Sequence, residues 1–171
     1  AGARYDHDKT RWFNQQYLRH KSDAELGKLL QAEASEQDVE VSLEKAEGIA
    51  ALMKERAYFI KDLWEDSQFF FAAPQEYDEK TLRKKWNEEA RSHVAELQKR
   101  FEAISDFNTE NIEEAFKAYL SENELGFGKV GPGFRLAVTG MGMGPSMFEI
   151  CAILGKEETL SRLNQALEQL P

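Results

Sequence analysis

The side chains that could do chemistry in this 171-residue chain are few and scattered. His7, His20 and His93 lie far apart, and none completes the Glu-x-x-His or His-Glu-x-x-His spacing of a helical metal site. Glu89 and His93 stand four residues apart, a spacing that reads first as a side-chain contact along one helix face. Cys151 is the single cysteine, which excludes an intramolecular disulfide framework, and its neighbours Ile150, Ile153 and Leu154 mark it as a buried, inert thiol. The carboxylate pairs Glu113-Glu114 and Glu157-Glu158 sit where helices should begin and complement the positive end of the helix dipole without any catalytic role.

The run Gly140-Met-Gly-Met-Gly144 is more suggestive. Successive backbone N–H groups in a glycine-rich loop can cradle an anion. The spacing departs from the dinucleotide fingerprint, however, and no Lys-Ser/Thr follows as in a nucleotide P-loop, so a flexible helix–helix connector is the favoured account of the run by itself. Its charge setting differs from the rest of the chain. Overall, 22 basic residues face 31 acidic ones, a net charge of −9, whereas residues 125–156 hold Lys129, Arg135 and Lys156 against Glu149 alone. Met141, Met143 and Met147 add flat, polarisable groups. Apolar platforms for unstacked bases, with an arginine for their edges, are what single-stranded RNA recognition needs. The competing account keeps the methionines in the core and Arg135 in a surface ion pair.

The elements that must position these groups read as helices throughout. Ser22 and Glu25 have capping-box spacing ahead of Leu26, Leu29 and Leu30. From Ser42, the positions Ala46, Ile49, Leu52, Met53, Ala57 and Ile60 follow a helical period, although Gly48 weakens it. Ala72-Ala73-Pro74 marks a junction, since proline disfavours helix at the residue before it. Beyond it, Leu82, Trp86, Ala90, Val94, Leu97, Phe101 and Ile104 predict one helix of many turns. Thr109 could cap another; Leu125–Gly133 reads as a glycine-broken loop, and Phe134–Val138 as a short helix or strand. Gly155 suits a helix C′ position before a last helix from Lys156. The fold class expected is all-α, in two consecutive helical bundles covering 1–73 and 74–171. No apolar stretch is long enough to span a bilayer and the first residues lack a signal-peptide layout, so a cytoplasmic protein is expected.

Four segments, in order, carry a resemblance: Arg11-Trp-Phe-Asn-Gln-Gln-Tyr-Leu-Arg19; Leu52-Met-Lys-Glu-Arg56; Phe134-Arg-Leu-Ala-Val-Thr-Gly140 followed by Gly144-Pro-Ser-Met-Phe-Glu-Ile150; and Leu154-Gly-Lys-Glu157. Together they resemble the C-terminal part of bacterial glutamyl-tRNA synthetase. The resemblance implies a helical stem-contact subdomain (1–73) followed by an anticodon-binding subdomain (74–171). Neither the His-Ile-Gly-His-like nor the Lys-Met-Ser-Lys-Ser-like motif of the family's catalytic domain occurs here, so a separate fragment without adenylate-forming activity is expected. No cofactor is expected on the fragment, with ATP and Mg²⁺ belonging to the parent catalytic domain in cis. The implied partner is the anticodon loop of glutamate tRNA, and a monomer without membrane association is expected.

The same resemblance assigns roles. Arg56 falls where an arginine reads the third anticodon base, a cytosine whose O2 and N3 accept the paired guanidinium donors. An arginine there accompanies enzymes that discriminate against glutamine tRNA, and a glutamine accompanies relaxed ones. Arg135 matches an arginine near the middle base, and Pro145 and Met147 match loop residues at the first and middle bases. Gly133-Phe134 replaces the Pro-Leu common before that arginine, and Gly144 replaces a threonine found in some relatives. Trp12, Asn14, Tyr17 and Trp86 read as packing residues. A helical protein-interaction module without an RNA role is the alternative, motivated by the acidic charge and the long amphipathic helix; a metal-dependent bundle enzyme is less well supported for want of ligand spacings.

Overall fold

The computed structural model describes residues 7–171, with side chains from Asp8 onward. These residues form ten α-helices and one 3₁₀ turn, with no strand among them, so the fold is all-α. The chain divides into two compact units, Ala1–Phe71 and Ala72–Pro171.

The first unit contains α1 (His7–His20), α2 (Asp23–Glu36), α3 (Leu43–Met53) and α4 (Ile60–Glu65), then the 3₁₀ turn Gln68–Phe70. The cap at Ser22 is a full capping box: the serine side chain accepts from Glu25 N, and the Glu25 carboxylate accepts from Ser22 N at 2.9 Å. Those bonds hold the exposed Glu25 carboxyl below its usual range. Ser42 caps α3 through Lys45 N. Helices α2 and α3 pack as an antiparallel hairpin, with Lys54 at the end of α3 bonded to Asp23 at the start of α2 at 2.7 Å. Their approach is close enough that a Cβ on Gly27 would lie 2.9 Å from the Glu47 backbone. Leu26, Leu30, Ala46 and Ile49 are fully buried between them.

Two expectations fail here. The periodic run from Ser42 ends at Met53, because Lys54-Glu-Arg56 forms a turn and a new helix begins only at Ile60, its opening N–H groups on Tyr58 and Phe59 bonded to Asp62. Trp12 and Tyr17 do not pack: together with Phe13 they are more than half exposed, while Leu18 holds α1 to its unit. The helical period of α1 has one small buried side and leaves its aromatic residues outside.

The second unit contains α5 (Glu79–Lys85), α6 (Glu88–Glu102), α7 (Thr109–Glu122), α8 (Phe127–Thr139), α9 (Met147–Leu154) and α10 (Lys156–Gln169). Helix α8 is central, packed by α5, α6 and α10. Phe116 lies at the middle of the core, with ring centroids 5.5 Å from Phe134 and 5.3 Å from Phe148 in edge-on arrangements. Trp86 is buried, as its period suggests.

The single long helix expected over Leu82–Ile104 is two. Asn87 takes an extended conformation and its side chain accepts from Ala90 N at 2.9 Å, starting α6 afresh after Trp86. The segment expected as a glycine-broken loop, Leu125–Gly133, instead supplies the first half of α8. Pro132 removes the N–H that would reach the Gly128 carbonyl, but Gly128 lies at the exposed first turn, where water can serve it. Gly131 lies under the ring of Phe127, which folds back over it from one turn earlier, so that a Cβ there would stand 2.5 Å from the ring unless the ring moved. Burial of α8 on several sides outweighs the poor helix propensity of its glycines.

Candidate nucleic-acid interface

Helix α8 ends at Gly140, whose φ of +73° places it in the left-handed region. Any Cβ at Gly140 would also meet the Glu76 carbonyl at 2.6 Å and Pro74 Cβ at 2.9 Å. The carbonyl of Gly140 accepts from Asp78 N at 2.8 Å, which ties the segment leading into α5 to the end of α8. Pro74 is itself fixed from α10, where Gln165 Nε2 donates to its carbonyl at 2.7 Å. Thr139 Oγ1 donates to the Arg135 carbonyl at 2.8 Å and accepts from Met141 N at 3.1 Å. Gly142 lies flush on α5, since a Cβ there would come within 2.2 Å of Thr81 Oγ1. The glycine run is therefore a turn clamped from below, not a slack connector. Ser146 then caps α9 through Glu149 N.

Clamping sorts the three methionines. Met141 is 43% exposed and Met143 81%, whereas Met147, in the first turn of α9, is 2% exposed. The expected exposed platform holds for the first two and fails for Met147, because the capping at Ser146 turns that side chain into the core. Pro145 is buried as well. Arg135, half-buried on α8, lies against the same turn: a Cβ on Gly144 would stand 2.9 Å from its Nη1. Gly144 sits directly beside that guanidinium. Arg135, Gly144, Pro145 and Met147 thus belong to one corner of the second unit. Arg56 is exposed on the turn after α3 in the first unit, between Glu55, bonded to Arg19 at 2.8 Å, and Ala57.

The positive charge read over residues 125–156 is largely consumed by the fold. Lys129 pairs with Glu89 at 2.8 Å, and Lys156 donates to the Ile104 carbonyl at 2.8 Å beyond the end of α6. The basic groups beside the glycine turn come instead from α5. Lys80, Lys84 and Lys85 line a groove with Met141 and Met143. The signal was present in the run Arg83-Lys-Lys85 but was absorbed into a supposed long helix. Arg162 was also missed: it is buried, bonded to Glu158 at 2.7 Å and to the Val138 carbonyl at 3.1 Å, and braces the last turn of α8.

The remaining candidates do structural work. Burial pushes the Cys151 thiol up to about 12, so it stays protonated and unreactive near neutrality. His93 shares a 2.6 Å hydrogen bond with the Tyr119 hydroxyl, and its other ring nitrogen lies 3.7 Å from Glu89. Among the described residues no cluster of three or more potential metal ligands occurs, and no helix is long and apolar enough to cross a membrane.

The second unit is thus a helical bundle with a clamped glycine turn, an arginine beside it and an exposed methionine pair. The family model for an anticodon binding domain matches residues 15–167, and the chain belongs to that family. Over 170 residues it is 43% identical to a glutamate–tRNA ligase of Phocaeicola vulgatus and 44% identical to one of Flavobacterium johnsoniae, covering 99% of this chain and 34% of each relative. A crystal structure of a glutamate tRNA ligase from Elizabethkingia meningosepticum, in complex with its amino acid, matches with a TM-score of 0.93 and 41% identity, over 100% of this chain and 34% of that one. The chain thus spans about a third of the length of these relatives, corresponding to their C-terminal part.

Proposed function

We propose that this chain holds the anticodon loop of glutamate tRNA, and that it does so for a cytoplasmic glutamate–tRNA ligase whose nucleotide-binding domain, with its ATP and Mg²⁺, lies in cis outside the residues described. In this reading the domain acts as a monomer. Arg135 and the backbone around Gly144 and Pro145 face the first and middle bases, Met147 supports that turn from within, and Arg56 reads the third base. The observation that carries the reading is the placement of the Arg135 guanidinium against a side-chain-free Gly144 in a turn fixed on both sides. A guanidinium beside an exposed turn can present its paired donors to a base edge. Phosphate contacts would supply affinity and base contacts the choice.

In the intact ligase, Arg135→Ala should raise KM for glutamate tRNA or lower kcat, with KM for ATP and glutamate unchanged. Steady-state aminoacylation kinetics with each substrate varied in turn check this. Normal kinetics with glutamate tRNA would overturn the assignment of Arg135.

A further inference from the structure

Beside the glycine turn lies an open groove of about 750 Å³, within the size range of small-ligand pockets. One wall is α5, with Lys80, Thr81, Lys84 and Lys85; the other is the turn, with Met141 and Met143. Lys80 and Lys84 stand one helical turn apart on the same face of α5.

The lysines matter because other basic side chains of this unit are engaged. Lys99 pairs with Glu96, Lys117 with Glu113, Lys129 with Glu89, Arg100 with Glu122 and Arg162 with Glu158. Arg91 donates to the Leu167 and Leu170 carbonyls, and Lys156 to those of Glu102 and Ile104. Among the described residues, Lys80, Lys84 and Lys85 form no ion pair, and all three are exposed. In a chain of net charge −9, three unpaired ammonium groups on one short helix leave a local demand for anions. Of the groove's two carboxylates, Asp78 lies near enough to Lys80 to feel its charge but is engaged at the start of α5, where its Oδ2 accepts from Thr81 N at 2.7 Å. Glu76 lies on the segment below the turn, so Lys84 and Lys85 are left without an ion pair. Across from the lysines, Met143 is 81% exposed on a turn that Gly142 pins to α5, so a large apolar group is held in water by a rigid support.

We propose that this groove is a single-stranded RNA subsite in which Lys80, Lys84 and Lys85 hold backbone phosphates while Met143 carries an unpaired base. The proposal rests on the anticodon-loop reading for the identity of the RNA. It adds a sequence-independent grip to the base readers: the lysines supply affinity and register, and the Met143 face accepts any base. Flat bases stack on apolar side chains whatever their edge pattern.

The test is a fluorescence-anisotropy titration of this chain, at several salt concentrations, against a hairpin carrying the glutamate anticodon loop and against one with its third anticodon base changed. The double variant Lys84→Gln/Lys85→Gln should weaken binding to both hairpins by the same factor. Its plot of log affinity against log salt should be shallower by about 1.4, two single-strand phosphate contacts' worth. Met143→Ser should weaken binding several-fold with the salt slope unchanged, and Met143→Leu should restore it. Affinity and slope unchanged in the lysine variant would overturn the groove, as would a loss confined to one hairpin; wild-type binding by Met143→Ser would overturn the base platform. If the unaltered chain binds both hairpins equally while the lysine variant still flattens the slope, the groove stands and the anticodon reading falls. If it binds neither hairpin at low salt, both fall.

Discussion

At the scale of single residues, Arg135 and Arg56 ask different things of their surroundings. Arg135 is half-buried, with its Nη1 beside position 144, which carries no side chain. A Cβ at position 144 would stand 2.9 Å from Nη1, the far end of a flexible side chain that could shift to admit it. Arg56 stands exposed on a tight turn closed by its own N–H to the Met53 carbonyl at 2.9 Å. The third-base role proposed for it predicts that Arg56→Gln in the intact ligase reduces the preference for cytosine over guanine by about ten- to hundredfold, the size of one bidentate base contact. Parallel kcat/KM measurements on the two anticodon variants check it. The residue types were legible in the sequence; their exposure was not. Met147 looks like Met141 and Met143 in a string of letters, and only the cap at Ser146 separates a buried methionine from two exposed ones. Trp12 and Tyr17 err the other way, because an amphipathic period shows that a helix has an apolar side without showing that anything covers it.

At the scale of elements, caps were the most readable feature and breaks the least. Ser22 announces α2 because a hydroxyl at that position satisfies an N–H that the helix cannot, whereas α7 is capped by Asn108, one residue before the threonine expected there. Asn87 does the same for α6, yet the apolar period runs unbroken through it, since Leu82 and Trp86 pack on the core that Ala90 and Val94 share. Asn87→Ala should leave the fold intact and cost about 1 kcal/mol, the usual contribution of such a cap; urea denaturation should show the midpoint lowered with an unchanged slope. Helix α8 was hidden for the opposite reason. Its glycines and proline argue locally for a loop, whereas Phe127 folding over Gly131 and the burial of Phe134 argue for a helix through contacts that a single sequence does not display.

At the scale of the whole molecule, the net charge of −9 is offset locally by caps and pairs, and this has a pH signature. Glu25, Asp78, Glu89 and Glu122 all have carboxyls held below their ordinary range, by Ser22, Thr81, Lys129 and Arg100 respectively. A folded-state value below the unfolded one means stability present above the unfolded pKa and lost as pH falls through the folded one. Only Asp66 moves against this trend among the resolved carboxylate shifts, raised by burial. The melting temperature should therefore hold near neutrality and drop progressively below the ordinary glutamate value of 4.5, as a circular-dichroism melt across that range would register. Each carboxylate is exposed, so salt should blunt the effect. The clamp under the glycine turn bears on how far the molecule can be shortened. The floor of that turn is made by Pro74, Glu76, Asp78 and Thr81, not by the helices that carry Arg135 and Met147. A minimal module cut to begin at Asn87 would retain Arg135, Pro145 and Met147 and still leave the loop hanging over empty solvent.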